Sequence, residues 1–383
     1  MKKKTLVITK STKDVLHHVS ANEVFYSYNF KQGILSTKEV VNLNNAKLLS
    51  DLALSEKEDY AAFIYSKNQL FLDQKLSFNN NLSLYFLSLF SNKRTEFFDT
   101  YAYYLHLIIL KNILKETPFH LITCIGFSAK EVAQLSLNLG QTVEAIGKFQ
   151  RPSNYNTAGL RNLLFYLTTI IYLALMKLFL KKNKTTQDKL FISQFPHHFN
   201  KDFRENKYVG LINEKESSLL LTIISDGFHQ NLKPVQFVKA LLYLRQKQKT
   251  ENLYLLDLYV SFGDVFRALI IYLKHKKKYQ RLKESPFDFK GIRLDDQLKE
   301  ELQLSSYQIP RLLMYFNAYF NLFKEVSPKE VVYHLHEFCS GRFVSYVLNN
   351  YFPKILSSGF QHGPISKRKM LYALAKGEVN SMG

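Results

Sequence analysis

Val331–Arg342 reads VVYHLHEFCSGR, and Ile355–Lys369 reads ILSSGFQHGPISKRK. The first opens as an apolar, β-branched strand and carries His334, His336 and Glu337 to a Ser-Gly turn. It then passes into a helix expected over Arg342–Tyr351. The second is another strand, leaving through Gln361, His362, Gly363 and Pro364 into a basic cluster. Strand, helix and strand form a βαβ unit, whose strands run parallel because the helix carries the chain back to its starting edge. Successive strands of such a unit are often neighbours. Glu337 and His362 are therefore expected side by side at two strand exits.

The same alternation extends outward. Thr5–Thr9 (TLVIT) is a short β-branched run at the start of the chain. Further strands are expected at Ala62–Tyr65, His120–Gly126, Leu190–Gln194, Leu219–Ser225 and Leu253–Val260. Between them, Phe97–Leu114, Ala129–Leu139, Pro234–Gln246 and Arg311–Phe323 have helical periodicity. Apolar strands alternating with amphipathic helices predict the α/β class, with Rossmann-like parallel sheets flanked by helices on both faces. Such sheets hold ligands at the carboxyl ends of their strands. No internal repeat of fixed period is visible. The organisation read from this is an amino-terminal α/β region (1–160), an apolar helix with a basic linker (161–189), and a second α/β region (190–383) carrying the Glu and Gln-His-Gly motifs.

Apolar residues make up 46% of the 383 and charged residues 22%, which excludes disordered and fibrous classes. The many Phe and Tyr suit filled cores or a sugar-stacking surface, although low-GC codon usage gives the same bias. A formal charge of +20 attracts polyanions: nucleic acid, anionic lipid or nucleotide sugars. The Lys residues are spread rather than gathered on one element, and no nucleic-acid-binding module is present, so nucleic acid is not the expected partner. Diffuse basicity fits an anionic membrane surface better. Cys124 and Cys339 are too few for a disulfide framework or a structural zinc site, and Met1–Thr9 does not read as a signal peptide. The expected location is cytoplasmic, peripheral at the inner face of the cell membrane.

Leu163–Leu180 (LLFYLTTIIYLALMKLFL) is broken only by Lys177 and is followed by Lys181, Lys182 and Lys184. It is near the lower length limit for a bilayer span. A buried core helix and an interfacial helix with a basic end are the other two readings.

Four stretches carry candidate chemistry. Leu190–Asn200 (LFISQFPHHFN) brings His197 and His198 to a strand end. Neighbours in sequence point apart, and no carboxylate or thiol cluster is read as completing a metal site there, so no metal is expected. A phosphate or sugar contact and a solvated loop remain. Leu219–Gln230 (LLLTIISDGFHQ) ends in Asp226 and Gly227 with His229 behind, either plain turn chemistry or a carboxylate base. Asp257, within Leu253–Asp264, reads as structural, tied to backbone amides. Glu337 and His362 form the strongest pair, because a carboxylate beside an imidazole is a general acid/base arrangement. Around them, Ser340, Gly341 and the first helical amides suit an anion. Gln361 and Gly363 allow close approach, and Arg342, Lys367 and Arg368 can neutralise phosphate. The bland alternative pairs Glu337 with Arg342 and leaves His362 capping a turn.

On FISQFPHHFN, SDGFHQN, HEFCSGR and GFQHGPISKRKMLY, the chain from Leu190 to about Tyr372 resembles a family of bacterial surface-carbohydrate biosynthesis proteins. These are presumed glycosyltransferases related to enzymes that move sialic-acid-like or Kdo-like sugars. The resemblance implies a GT-B-like arrangement of two facing Rossmann-like domains, with no metal and no cofactor. The co-substrate would be a nucleotide sugar, CMP-linked among the options, and the acceptor a glycan or a lipid-linked glycan. Glu337 and His362 would be the catalytic pair, with Asp226 in reserve. Arg342, Ser340, Gly341, Gln361, Gly363, Lys367, Arg368, His197 and His229 would be the substrate or phosphate contacts. Family members continue past the Gln-His-Gly motif, so the second nucleotide-binding domain is expected to be incomplete, with truncation, a completing partner or a different domain division as its explanations. A non-catalytic membrane-surface protein of polysaccharide export is the alternative in another class, resting on the basic charge and Leu163–Leu180.

Overall fold

The computed structural model describes residues 5–9, 23–27, 40–42, 46–79, 81–93, 100–146, 158–200, 205–208, 210–212, 217–224, 232–334, 339–361, 370 and 373–381. Two five-stranded, fully parallel sheets organise them. The first contains β1 (Thr5–Thr9), β2 (Glu23–Ser27), β3 (Val40–Asn42), β4 (Leu121–Ile125) and β5 (Val143–Ile146), in the order β3-β2-β1-β4-β5. The second contains β6 (Lys189–Gln194), β7 (Ser217–Thr222), β8 (Leu253–Leu255), β9 (Glu330–His334) and β10 (Leu356–Phe360), in the order β8-β7-β6-β9-β10. Numbered within each sheet, both run 3-2-1-4-5, the Rossmann order. The central strands are buried on both faces, which is why Leu6, Val7 and Ile8, or Leu220 and Leu221, can be apolar without alternation.

The longer helices among the described residues are α1 (Ala46–Ser66), α2 (Thr100–Glu116), α3 (Ala129–Leu139), α4 (Ala158–Phe179), α5 (Pro234–Lys247), α6 (Phe262–Glu284), α7 (Asp295–Leu313), α8 (Phe316–Val326) and α9 (Cys339–Tyr351). Both sheets reach their fourth strand by a similar route. A long helix, α1 or α6, leads to a short antiparallel hairpin, then to further helices, and then to β4 or β9. The hairpins pair Phe78 with Leu82 and Phe289 with Ile292. Each carries a positive-φ residue directly after its phenylalanine, Asn79 and Lys290. This likeness of architecture is not a fixed-period sequence repeat.

Several expectations are corrected. Ala62–Tyr65 lies inside α1, because a short apolar run does not distinguish strand from buried helix. The strand expected over Leu253–Val260 stops at Leu255 and tightens into a 3₁₀ turn over Leu256–Tyr259, where the Asp257 carboxylate accepts the Ile223 amide at 2.7 Å. Arg311–Phe323 spans the end of α7 and the start of α8 rather than one helix. The apolar run Leu163–Leu180 is α4 apart from its last residue, and it packs against the helices of the second sheet. Tyr172 stacks on Phe237 with centroids 3.7 Å apart, and its hydroxyl donates to the Leu232 carbonyl at 2.6 Å.

Candidate functional site

In a 3-2-1-4-5 sheet the chain leaves strand 1 toward one side and strand 4 toward the other, so a crevice opens between their carboxyl ends. In the second sheet those strands are β6 and β9, paired in parallel register from Glu330↔Lys189 to Val332↔Phe191. A small, partly open pocket of about 30 Å³ lies at their exits. Ser193, Gln194 and His198 from β6 and its loop, Tyr333 and His334 from β9, and Ser340 and Gly341 from the first turn of α9 all face it. The amides of that first turn have no partner within the helix and favour negative charge.

The wall between β6 and β9 is a connected polar group. The loop after β6 folds back through the bridge Phe199↔Glu205. Glu205 Oε2 accepts the backbone amides of Lys207 (2.7 Å) and Tyr208 (2.6 Å), and Oε1 accepts the Ser193 hydroxyl at 2.9 Å. Ser193 Oγ also lies 3.1 Å from His198 Nδ1, which accepts the Gln194 amide at a weaker 3.4 Å. The ring of His334 stands edge-on to His198, with centroids 5.0 Å apart, and lies flat on Tyr208. Burial pushes the Glu205 carboxyl above its usual range, opposed by these three donors.

His198, Glu205 and His334 each bring one ligand-capable atom within 4.8 Å of the others. Bonds of about 2.0–2.2 Å to zinc place ligand atoms roughly 3.3–3.6 Å apart in a tetrahedral site, so these three groups would have to draw together to hold an ion. The sequence reading expected no carboxylate beside the two imidazoles. That expectation does not hold for His198: Glu205, seven residues on, is folded back against it. The usable signal was the short separation of the carboxylate, and what concealed it was the loop reversal. His334, noted only as part of a strand, is the other member that sequence reasoning left out.

The expected site residues separate into groups. Ser340 and Gly341 line the pocket, and Gln361 follows directly on β10. His197 is exposed while His198 is buried, so the two neighbours do point apart. Arg342 is buried and turned toward the first half of the chain. Its guanidinium donates to Ser91 Oγ at 2.8 Å and to the Phe86 carbonyl at 3.3 Å. It lines a second, partly open cavity of about 310 Å³, bounded by Leu82, Phe86 and Leu87 from the first half and by Tyr333, Gly341 and Tyr346 from the second. Asp257 is fully buried and bonded to Ile223 and Tyr315, as the structural reading had it. Asp226, His229, Glu337, His362, Gly363, Lys367 and Arg368 lie outside the described residues. The strands that precede Glu337 and His362 are parallel neighbours, registered from Glu330↔Leu356 to His334↔Phe360.

No family model, curated protein or solved structure matches this chain. What the pocket offers is imidazole and hydroxyl groups on one side and helix amides on the other, at the switch point of a parallel sheet. Helix amides favour an anion, and an imidazole can exchange a proton.

Proposed function

We propose that this chain is a glycosyltransferase of GT-B-like arrangement. It would move a sugar from a nucleotide-activated donor to a glycan or lipid-linked acceptor in bacterial surface polysaccharide or lipopolysaccharide assembly. The observation that supports this best is the pair of parallel sheets with one strand order, the second having a polar switch-point pocket beside a cavity shared by both halves. In this reading the donor phosphate sits at the first turn of α9, against Ser340 and Gly341. Glu337 and His362, which follow neighbouring strands, take the proton from the acceptor hydroxyl. The acceptor oxygen bonds to the anomeric carbon as the carbon–oxygen bond to phosphate breaks, and the nucleotide leaves with that electron pair. Helix amides and Lys367 or Arg368 stabilise the charge that develops on it. The reaction needs no metal in this account.

The test is release of free nucleotide from a panel of CMP-, UDP-, GDP- and dTDP-sugars, with and without glycan acceptors. Release that depends on acceptor and is lost in Glu337→Gln and His362→Ala supports the assignment. Equal turnover in both variants removes it, and so does failure of every nucleotide to bind.

A further inference from the structure

Helices α4, α5 and α6 each leave an apolar stripe in solvent. On α4 it is Leu160, Leu163, Leu164, Leu167, Ile171 and Leu178, which fall along one face at helical spacing. On α5 it is Val235, Val238 and Leu242, and on α6 it is Phe262, Phe266, Ile270 and Leu273. All are between 40 and 75% exposed, so none is a core residue grazing the surface. The three helices are neighbours. Tyr172 of α4 stacks on Phe237 of α5, and Lys177 of α4 reaches over the ring of Phe262 of α6. Scattered apolar residues are ordinary on a surface, but a run shared by three adjacent helices marks an interaction face.

The charge around this face selects the occupant. Helices α4 and α5 contain no Asp or Glu. The carboxylates of α6 are Asp264, which is buried, and Glu284, at its last position. The cations are many: Lys181, Lys182 and Lys184 after α4, and Lys274, Lys276 and Lys277 along α6. Lys177, with Arg161 one of two charges within the span of the α4 stripe, is drawn aside to donate to the Val260 carbonyl at 2.7 Å. Apolar stripes with a predominantly basic border, in which Glu251 and Asp188 are the first exposed carboxylates after α5 and α4, match the acyl boundary and headgroups of an anionic bilayer. A bilayer span is the poorer fit for α4 itself, because its other face, including Tyr166, Leu173 and Met176, is packed against protein.

We infer that α4, α5 and α6 form a docking face that lies in the surface of an anionic lipid bilayer. This is independent of the sugar-transfer reading, since it needs neither a nucleotide nor the switch-point pocket.

The experiment is flotation of the full chain with vesicles of phosphatidylcholine alone or of equal parts phosphatidylglycerol and phosphatidylcholine. The chain is expected to float with the anionic vesicles, to lose most of that binding in high salt, and to float poorly with phosphatidylcholine alone. Leu167→Asp/Ile270→Asp should weaken partitioning by at least ~10-fold, since each change removes an inserted aliphatic group and adds a charge. Lys181→Gln/Lys182→Gln/Lys184→Gln should weaken it on anionic vesicles only. Both variants alter exposed positions, so unchanged circular dichroism and melting are expected and are checked first; Leu164→Ser is the substitute should the double variant misfold. The inference is overturned if the folded wild type stays with the soluble fraction. It is equally overturned if the folded Asp variant floats as well as wild type, or if the stripe serves a lipid-free dimer that the same variant dissociates.

Discussion

Phe78 and Phe289 occupy equivalent places in the two hairpins, and each packs against helices of the opposite half. Phe78 meets Phe316 of α8 at 5.0 Å between centroids, with Phe343 and Tyr346 of α9 at 6.2 Å. Phe289 lies 4.8 Å from both Phe63 of α1 and Tyr104 of α2. Polar contacts reinforce the exchange: Asn79 donates to the Tyr351 hydroxyl at 2.9 Å, and Lys290 pairs with Glu56 and Asp59. The two halves are thus clasped by reciprocal contacts rather than joined by a hinge alone.

That clasp predicts cooperative unfolding. Phe289→Ala should cost about 3–5 kcal/mol, the range for removing a buried ring. The loss should appear in one transition shared by near- and far-ultraviolet circular dichroism. Two separated transitions, with only one moved by the substitution, would show that the halves fold independently and that the clasp is incidental.

How much of this could be read in advance depends on what kind of information each residue carries. Thr5–Thr9, Leu121–Ile125 and Lys189–Gln194 were legible because strands buried on both faces are continuous apolar runs bounded by turns. AAFIY at 61–65 has the same local appearance, yet it completes α1, since its role is set by Tyr60, Ala61 and Ile64 facing the core. The shared strand order was hidden because only the order of elements recurs. In the site, His198 was visible from its place after a strand. Its association with Glu205 and His334 was not, because that depends on a loop reversal and on β9 entering beside β6.

Asp257 gives a pH prediction. Its Oδ1 lies 2.8 Å from the Tyr315 hydroxyl, which also faces the Ile224 carbonyl, and one hydroxyl proton cannot serve both acceptors. A proton on the carboxyl resolves the conflict, and complete burial pushes its pKa up to about 7. The folded state therefore holds this proton more tightly than the unfolded chain, whose Asp titrates near 4. The associated stability is complete below about pH 4 and is lost as pH rises through about 7, a change on the order of 4 kcal/mol. Buried Glu301, raised to about 8, acts in the same direction. Melting temperature should fall between about pH 5 and about pH 8, and Asp257→Asn should flatten part of that slope. An identical slope in the variant would rule Asp257 out as its source.

Lys93 and Glu378 form an ion pair sealed from solvent. Lys93 Nζ stands 2.7 Å from Glu378 Oε2 and also donates to the Ala373 carbonyl at 2.8 Å. The pair fastens residues 373–381 to the first half. Glu378→Leu alone should cost about 3–5 kcal/mol because it strands a buried ammonium. Lys93→Met/Glu378→Leu should recover much of that loss, since it removes both desolvated charges. Denaturant midpoints of the two variants decide the matter: a double variant as unstable as Glu378→Leu would mean that the attraction itself carried the stability.

Glu205 separates a hydrogen-bonded wall from a metal centre. Its two oxygens accept three protein donors, so as the groups stand it acts as a clasp on the loop after β6. Glutamine offers one acceptor oxygen where the carboxylate offers two. Glu205→Gln keeps one acceptor oxygen but puts an NH2 donor at the other contact, so either the Ser193 hydroxyl must reverse or the Lys207 and Tyr208 amides lose their acceptor, at about 1–3 kcal/mol. If the clasp is the whole role, that loss is unaffected by chelator, and EDTA changes neither the melting of the wild type nor its nucleotide release. A wild-type melting temperature that falls in EDTA, recovers with zinc, and is insensitive to both in Glu205→Gln would instead place an ion between His198, Glu205 and His334. It would also replace the metal-free account of the reaction, because a cation there would stand beside the phosphate that the α9 amides are proposed to hold.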